Sequence, residues 1–343
     1  MLQVAKYADL LLYLPCMFLS SHIIDTKGLR ACIIFGSILM LFGANLRMFV
    51  SVYHGNFWPV FFGHIIALSG QAFLRNPVTK LTNNWFGDNE RGIATGISIM
   101  SGPAGIFISK VLIQTIMWND DKLEENRLRA RSNYEFFVLA NSLIVTVMIV
   151  PAFFLIKDQP PSPPSKVASK GRPHYSIWES TKLILQNRQY LLVFVHFQLV
   201  NTVAIFGAEI TTFLRPYPQY DLARQNFASM LFCVSGIMGS LALGNLIDKY
   251  HCLRKLLIFQ PLLVAILLVL TQTMLELNFP DLPVLLLISA AGAPLCSISV
   301  SSYQLAAQVT YPVNEVLSVG VMNPVNKIVT FLLIIASNNL PKV

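Results

Sequence analysis

The chain has 343 residues, 54% of them hydrophobic and only 12% charged. A soluble globular domain carries about 25% charged residues, so this composition excludes an ordinary water-soluble protein and points to a surface bathed in lipid. The formal charge of +8 does not call for a nucleic-acid partner, because the basic residues sit mainly in loops on one side of the apolar segments.

Hydropathy predicts ten membrane-spanning helices, at 8–24, 31–53, 58–80, 92–117, 135–156, 190–214, 225–247, 256–276, 282–306 and 315–337. Most exceed the ~20 residues that cross ~30 Å of hydrocarbon as a helix. The fold class is therefore all-α integral membrane. The first segment is short and contains Pro15. It reads as a span rather than a signal peptide, because Lys6 and Asp9 interrupt its start and a charged turn follows it. Pro77, Pro103, Pro294 and Pro324 are expected to kink or break their helices. Cys16, Cys32, Cys233, Cys252 and Cys296 are too scattered for a metal knuckle or a redox pair.

Five spans precede a polar segment and five follow it. This predicts an N-terminal bundle at 1–156, a cytosolic linker at 157–189 and a C-terminal bundle at 190–343. The linker opens with Pro160-Pro161-Ser162-Pro163-Pro164, which forms neither helix nor ladder. Its later part, from Ile177 to Leu185, spaces apolar residues as a short amphipathic helix does, with Trp178 as an anchor on the inner membrane face. Lys and Arg number 13 on the linker side and eight on the other. The excess of basic residues puts the linker in the cytosol.

Two spans lead into related charged turns. The first turn is Asp25-Thr26-Lys27-Gly28-Leu29-Arg30. The second runs from Asp248 and Lys249 to Arg254 and Lys255, led by Gly244. Ser21 stands where the first copy would carry that leading glycine, and position 251 is His rather than Gly. These turns resemble the loop between the second and third helices in each half of the major facilitator superfamily. The resemblance implies a two-bundle fold, with about ten transmembrane helices present of an expected twelve. Residues 8–337 would then be helices two to eleven of that plan, with further spans expected before Met1 and after Val343.

Finer features resemble the subfamily named after the feline leukaemia virus subgroup C receptor. They include Gln71-Ala72-Phe73-Leu74-Arg75-Asn76, Trp85-Phe86-Gly87, Asn187-Arg188, and Thr310-Tyr311-Pro312 followed by Glu315, Gly320 and Asn323. Members are described as twelve-helix carriers of choline and ethanolamine or of haem. The resemblance implies that Phe206 occupies the position of an aromatic that stacks on the choline head group. A ring face there retains cation–π attraction. It also places a substrate-contacting glutamine at Lys327.

Several residues are candidates for function. Asp25, Arg30, Asp248, Lys249 and Arg254 are expected to form a cytosolic gate. Each carboxylate would face a neighbouring helix N-terminus and pair with a basic residue; ordinary loop charge that fixes topology is the alternative. Lys327 lies near the middle of its span, where an unpaired ammonium is expensive. It should face water, a carboxylate or solute, and it disfavours a permanently cationic cargo. Gln71, Asn76, Asn201 and Asn323, with Phe206 and Lys327, complete the substrate-binding set; interhelical hydrogen bonding is the alternative for the amides. No catalytic motif, phosphate loop or metal-ligand cluster appears, so neither enzyme chemistry nor a cofactor is expected. The reading is a carrier working by alternating access as a monomer, in contact with membrane lipid. Its cargo would be a small organic solute that is choline- or ethanolamine-like, haem-like or an organic anion. A non-transporting receptor or sensor that keeps the fold is the alternative. The plasma membrane is the expected location, with an organellar membrane left open.

Overall fold

The computed structural model describes residues 2–52, 57–117, 126–162, 164, 176–208, 214 and 216–339. Twelve helices lie among them: α1 (Leu2–Lys27), α2 (Leu29–Val52), α3 (Phe57–Arg75), α4 (Val78–Trp85), α5 (Arg91–Met117), α6 (Asn126–Leu155), α7 (Ile177–Gln186), α8 (Arg188–Ala208), α9 (Leu222–Tyr250), α10 (Leu253–Glu276), α11 (Asp281–Val309) and α12 (Glu315–Asn339). All but α4 and α7 run for 19 to 30 residues, and these ten coincide with the ten predicted spans. The span expected at 58–80 is divided, ending as α3 and resuming as α4. Pro77 has no N–H to donate and disfavours helical backbone at Asn76. Pro103, Pro294 and Pro324 instead lie inside continuous helices, as neighbouring helices allow in lipid.

Six of the long helices are apolar and long enough to cross a membrane by composition alone: α2, α5, α6, α9, α10 and α11. On α6, Phe136, Leu139, Leu143, Val147 and Phe154 are exposed at intervals that keep them on one side. Ile258, Leu262, Ile266 and Val269 do the same on α10. Such continuous apolar stripes have no place against water. Of the five polar candidates for substrate binding, four lie on the remaining long helices: Gln71 on α3, Asn201 on α8, and Asn323 and Lys327 on α12.

Helix α7 begins where the sequence placed it. Ser176 accepts a hydrogen bond from the Trp178 N–H at 3.3 Å, and the Ser176 N–H donates to Glu179 at 3.1 Å. This reciprocal cap satisfies two amides at the helix start. Trp178 is 78% exposed while Ser180 and Ile184 are buried, the two-sidedness of a helix lying on a membrane face.

The chain forms two compact units. The first comprises Met1–Leu81 with Val111–Ser162. In it, α2 and α3 approach through a seam of Gly36 and Gly43 against Gly70 and Gly63. A Cβ on Gly43 would stand 2.6 Å from the Gly63 carbonyl oxygen. Helices associate in lipid through such close backbone contact, because apolar area alone gives them no preference for one another.

The second unit comprises Thr82–Lys110 with Pro163–Val343. The part of α5 up to Lys110, about three-quarters of the helix, thus groups with the C-terminal helices. Phe232 of α9, Val264 and Leu275 of α10, and Ile288 and Leu295 of α11 form its core. Gln260 of α10 crosses to α11, donating to Ser297 at 2.9 Å and accepting from Ser301 at 2.8 Å.

Candidate functional site

The second charged turn carries the most specific geometry. Asp248, at the end of α9, is buried. Its Oδ1 accepts from the Gly92 N–H at 2.6 Å and its Oδ2 from the Ile93 N–H at 2.9 Å. Those amides open α5, where no intrahelical acceptor exists and the helix dipole is positive. The approach depends on two glycines. A Cβ on Gly92 would stand 2.5 Å from both the Asp248 carboxylate and the Gly244 carbonyl oxygen. A Cβ on Gly244 would stand 2.7 Å from the Gly92 carbonyl oxygen. The leading glycine of the motif therefore lets the two helices meet closely enough for the carboxylate to reach. Lys249 lies over the Tyr250 ring at 5.2 Å, and Arg254 is exposed.

In the first unit the related turn is arranged differently. Asp25 lies 3.9 Å from Lys80 of α4. The N-terminus of α2 is held by Asp158, just after α6, which accepts from the Arg30 N–H at 2.8 Å. The Arg30 guanidinium donates to the Phe153 carbonyl at 3.3 Å. Gly28 makes the turn with a φ of 94°. A side chain there would be strained and would meet Asp158 at 2.5 Å. Sequence reasoning missed Asp158, whose partner lies 128 residues away and whose local context is only the edge of a proline-rich linker.

Within the second unit, α8 and α12 are joined by a ladder of polar side chains. The Tyr190 hydroxyl donates to the Ser318 carbonyl at 2.7 Å, and Gln198 Nε2 to the Met322 carbonyl at 3.1 Å. Asn326 Nδ2 donates to the Gln198 carbonyl at 3.0 Å and to Thr202 Oγ1 at 3.2 Å. Asn201 Nδ2 donates to Asn326 Oδ1 at 2.7 Å, and Thr330 Oγ1 lies 3.4 Å from Thr202 Oγ1. Residue numbers rise together along both helices, so α8 and α12 run in the same direction.

Asn323 is buried and accepts from the Tyr303 hydroxyl of α11. Lys327 is half-buried, at the midpoint of α12, and engaged rather than free. Four residues on from Asn323, it shares a face with that side chain. It points about 100° around the helix from Asn326 and its α8 partners.

The chain matches the Major Facilitator Superfamily model over residues 7–332. It belongs to that superfamily. It is a multi-pass membrane protein, and the family is one of transporters rather than enzymes. The choline/ethanolamine transporter flvcr2b of Danio rerio is 24% identical over 323 residues, covering 92% of this chain and 64% of the relative. The choline/ethanolamine transporter FLVCR1 of Felis catus is 22% identical over 337 residues, covering 96% and 59%. The chain thus spans less than two thirds of the length of these relatives. The E. coli fucose:proton symporter FucP shares the fold, with a TM-score of 0.71 at 16% identity, over 98% of this chain and 83% of that one.

The structure distributes the other sequence candidates as follows. Asn201 lies in the α8–α12 ladder, and its Oδ1 faces Ser299 of α11 at 3.4 Å. Asn76 is buried and donates to Ser20 at 2.6 Å and to the Met17 carbonyl at 3.3 Å, binding the end of α3 to α1. Gln71 is half-buried on α3. The Phe206 side chain lies outside those described. Among residues that sequence reasoning left out of the site, Asn326, Gln198, Thr202 and Thr330 do most of the joining of α8 to α12. Their signal was present as polar residues four apart on each helix, at 198 and 202 and at 326 and 330.

Proposed function

We propose that this Major Facilitator Superfamily protein carries a small organic solute across a membrane by alternating access. Two bundles, 1–156 and 190–343, would move about a solute site, with residues 157–189 as the cytosolic connector. The observation that carries the reading is the half-buried Lys327 at the midpoint of α12, on the same face as Asn323 and beside the α8–α12 polar ladder. A cation at that depth is costly unless it has water, a counter-charge or cargo to meet. Lys327 is already engaged within the protein, and its positive charge beside the solute path would favour an anionic or zwitterionic group over a permanent cation. The Asp248 clasp on α5 would hold one state and release in the other, with Asp25, Arg30, Lys249 and Arg254 in the same gate. The plasma membrane is the proposed location.

Choline and ethanolamine, the solutes in the relatives' names, form a second reading, supported by similarity across more than nine-tenths of this chain. Uptake by the full-length protein in vesicles decides between the two, using choline, ethanolamine, haem and organic anions, before and after Lys327→Gln. The first reading expects organic-anion or zwitterion transport that the substitution lowers, with choline transport rising or appearing. Strong choline transport that the substitution leaves unchanged would place Lys327 away from the solute.

A further inference from the structure

Where α1 turns into α2, a cavity of about 460 Å³ opens on the first unit. Lys27 and Arg30 lie at one end of its lining, with Ile34, Phe35 and Ile38 continuing along α2. The apolar span of α2 begins at Leu29. The two cations therefore stand at the level of a lipid head group. Phe35 and Ile38 lie about 8 and 12 Å further along the helix axis, at 1.5 Å per residue, within the hydrocarbon. Phe35 and Ile38 are exposed, as are Lys27 and Arg30.

The charges are unequally used. Asp158 also lines the cavity, but its Oδ1 is committed to the Arg30 backbone N–H at the start of α2. The Arg30 guanidinium donates to a neutral carbonyl, that of Phe153. Lys27 forms no ion pair among the described residues. The mouth of the groove therefore holds two exposed cations against one carboxylate, a net positive charge, above an apolar wall one acyl chain can follow.

We propose that this groove binds one anionic phospholipid, its phosphate on Lys27 and Arg30 and an acyl chain along Ile34, Phe35 and Ile38. The occupant is a lipid rather than a soluble anion because the lining continues as hydrocarbon-facing side chains below the cations. This is independent of which solute the protein carries.

Native mass spectrometry of the full-length protein in detergent tests the assignment, with phosphatidylglycerol and phosphatidylcholine of matched chains added in turn. Phosphatidylglycerol should bind more tightly, by about fivefold for each interfacial cation engaged. Lys27→Gln should remove about fivefold of that preference, and Lys27→Arg should retain it. Ile38→Trp, which fills the apolar wall without touching charge, should weaken both lipids. Equal binding of the two lipids by the unaltered protein would overturn the proposal without reliance on any variant. Glycerophosphoglycerol binding as tightly as phosphatidylglycerol would also overturn it, since the site would then be one for a soluble anion.

Discussion

Asp248 and Gly92 are 156 residues apart in sequence and 2.6 Å apart in space, carboxylate oxygen to amide nitrogen. The contact exists because Gly92 and Gly244 both lack a Cβ, so that α5 and α9 can meet backbone to backbone. A hydrogen bond to a charged group contributes about 1.5–3 kcal/mol, and this carboxylate accepts two. Asp248→Ala should therefore lower stability by about 3–6 kcal/mol on that scale. Gly244→Ala should destabilise as well, by forcing the helices apart. The two effects should not add, since either change alone withdraws the carboxylate from α5. Melting temperatures of the two single variants and the double variant in detergent check this. Simple additivity would mean that the glycine and the aspartate act separately.

Gly28 and Asp158 offer a parallel test in the first unit. The positive φ at Gly28 costs an L-residue about 1 kcal/mol, and a side chain there would also press on Asp158. Gly28→Ala should destabilise the protein by more than that backbone cost. Asp158→Asn should cost less, because an amide oxygen can still accept from the Arg30 N–H. Thermal unfolding of both variants should rank them in that order.

The Asn201–Asn326 hydrogen bond should show direct coupling. Side-chain hydrogen bonds between membrane helices average about 0.6 kcal/mol and reach about 1.7. Asn326 also donates to Gln198 and Thr202, so Asn326→Leu should cost more than Asn201→Leu. A double-mutant cycle on unfolding free energy should return a coupling near the upper end of that range. A coupling indistinguishable from zero would show that the pair contributes nothing to stability.

Orientation is open to labelling. The 13-to-eight distribution of basic residues predicts that 157–188 faces the cytosol and 118–134 the opposite side. Single cysteines placed in each segment of an otherwise cysteine-free protein should react with an impermeant reagent on intact cells only in 118–134. Labelling of the linker from outside would reverse the topology.

The sequence by itself determined the spans, the capped linker helix and the pair of charged turns. Each of these depends on residues close together in the chain. A run of apolar side chains sets a span, and Ser176 with Glu179 three residues on sets a helix start. Gly244 four residues before Asp248 sets a glycine and a carboxylate on one face. Tertiary structure alone decided which partners those residues would find. Nothing near Asp158 says that it, rather than Asp25, will cap α2. Nothing near Asn201 says that its amide will meet Asn326 on a helix 125 residues later. Such contacts depend on how far each helix is rotated and how deep it sits against its neighbour. In lipid those quantities are set by close packing of small residues and by the satisfaction of every buried polar group. Both are properties of the assembled bundle, so they cannot be read from one helix at a time.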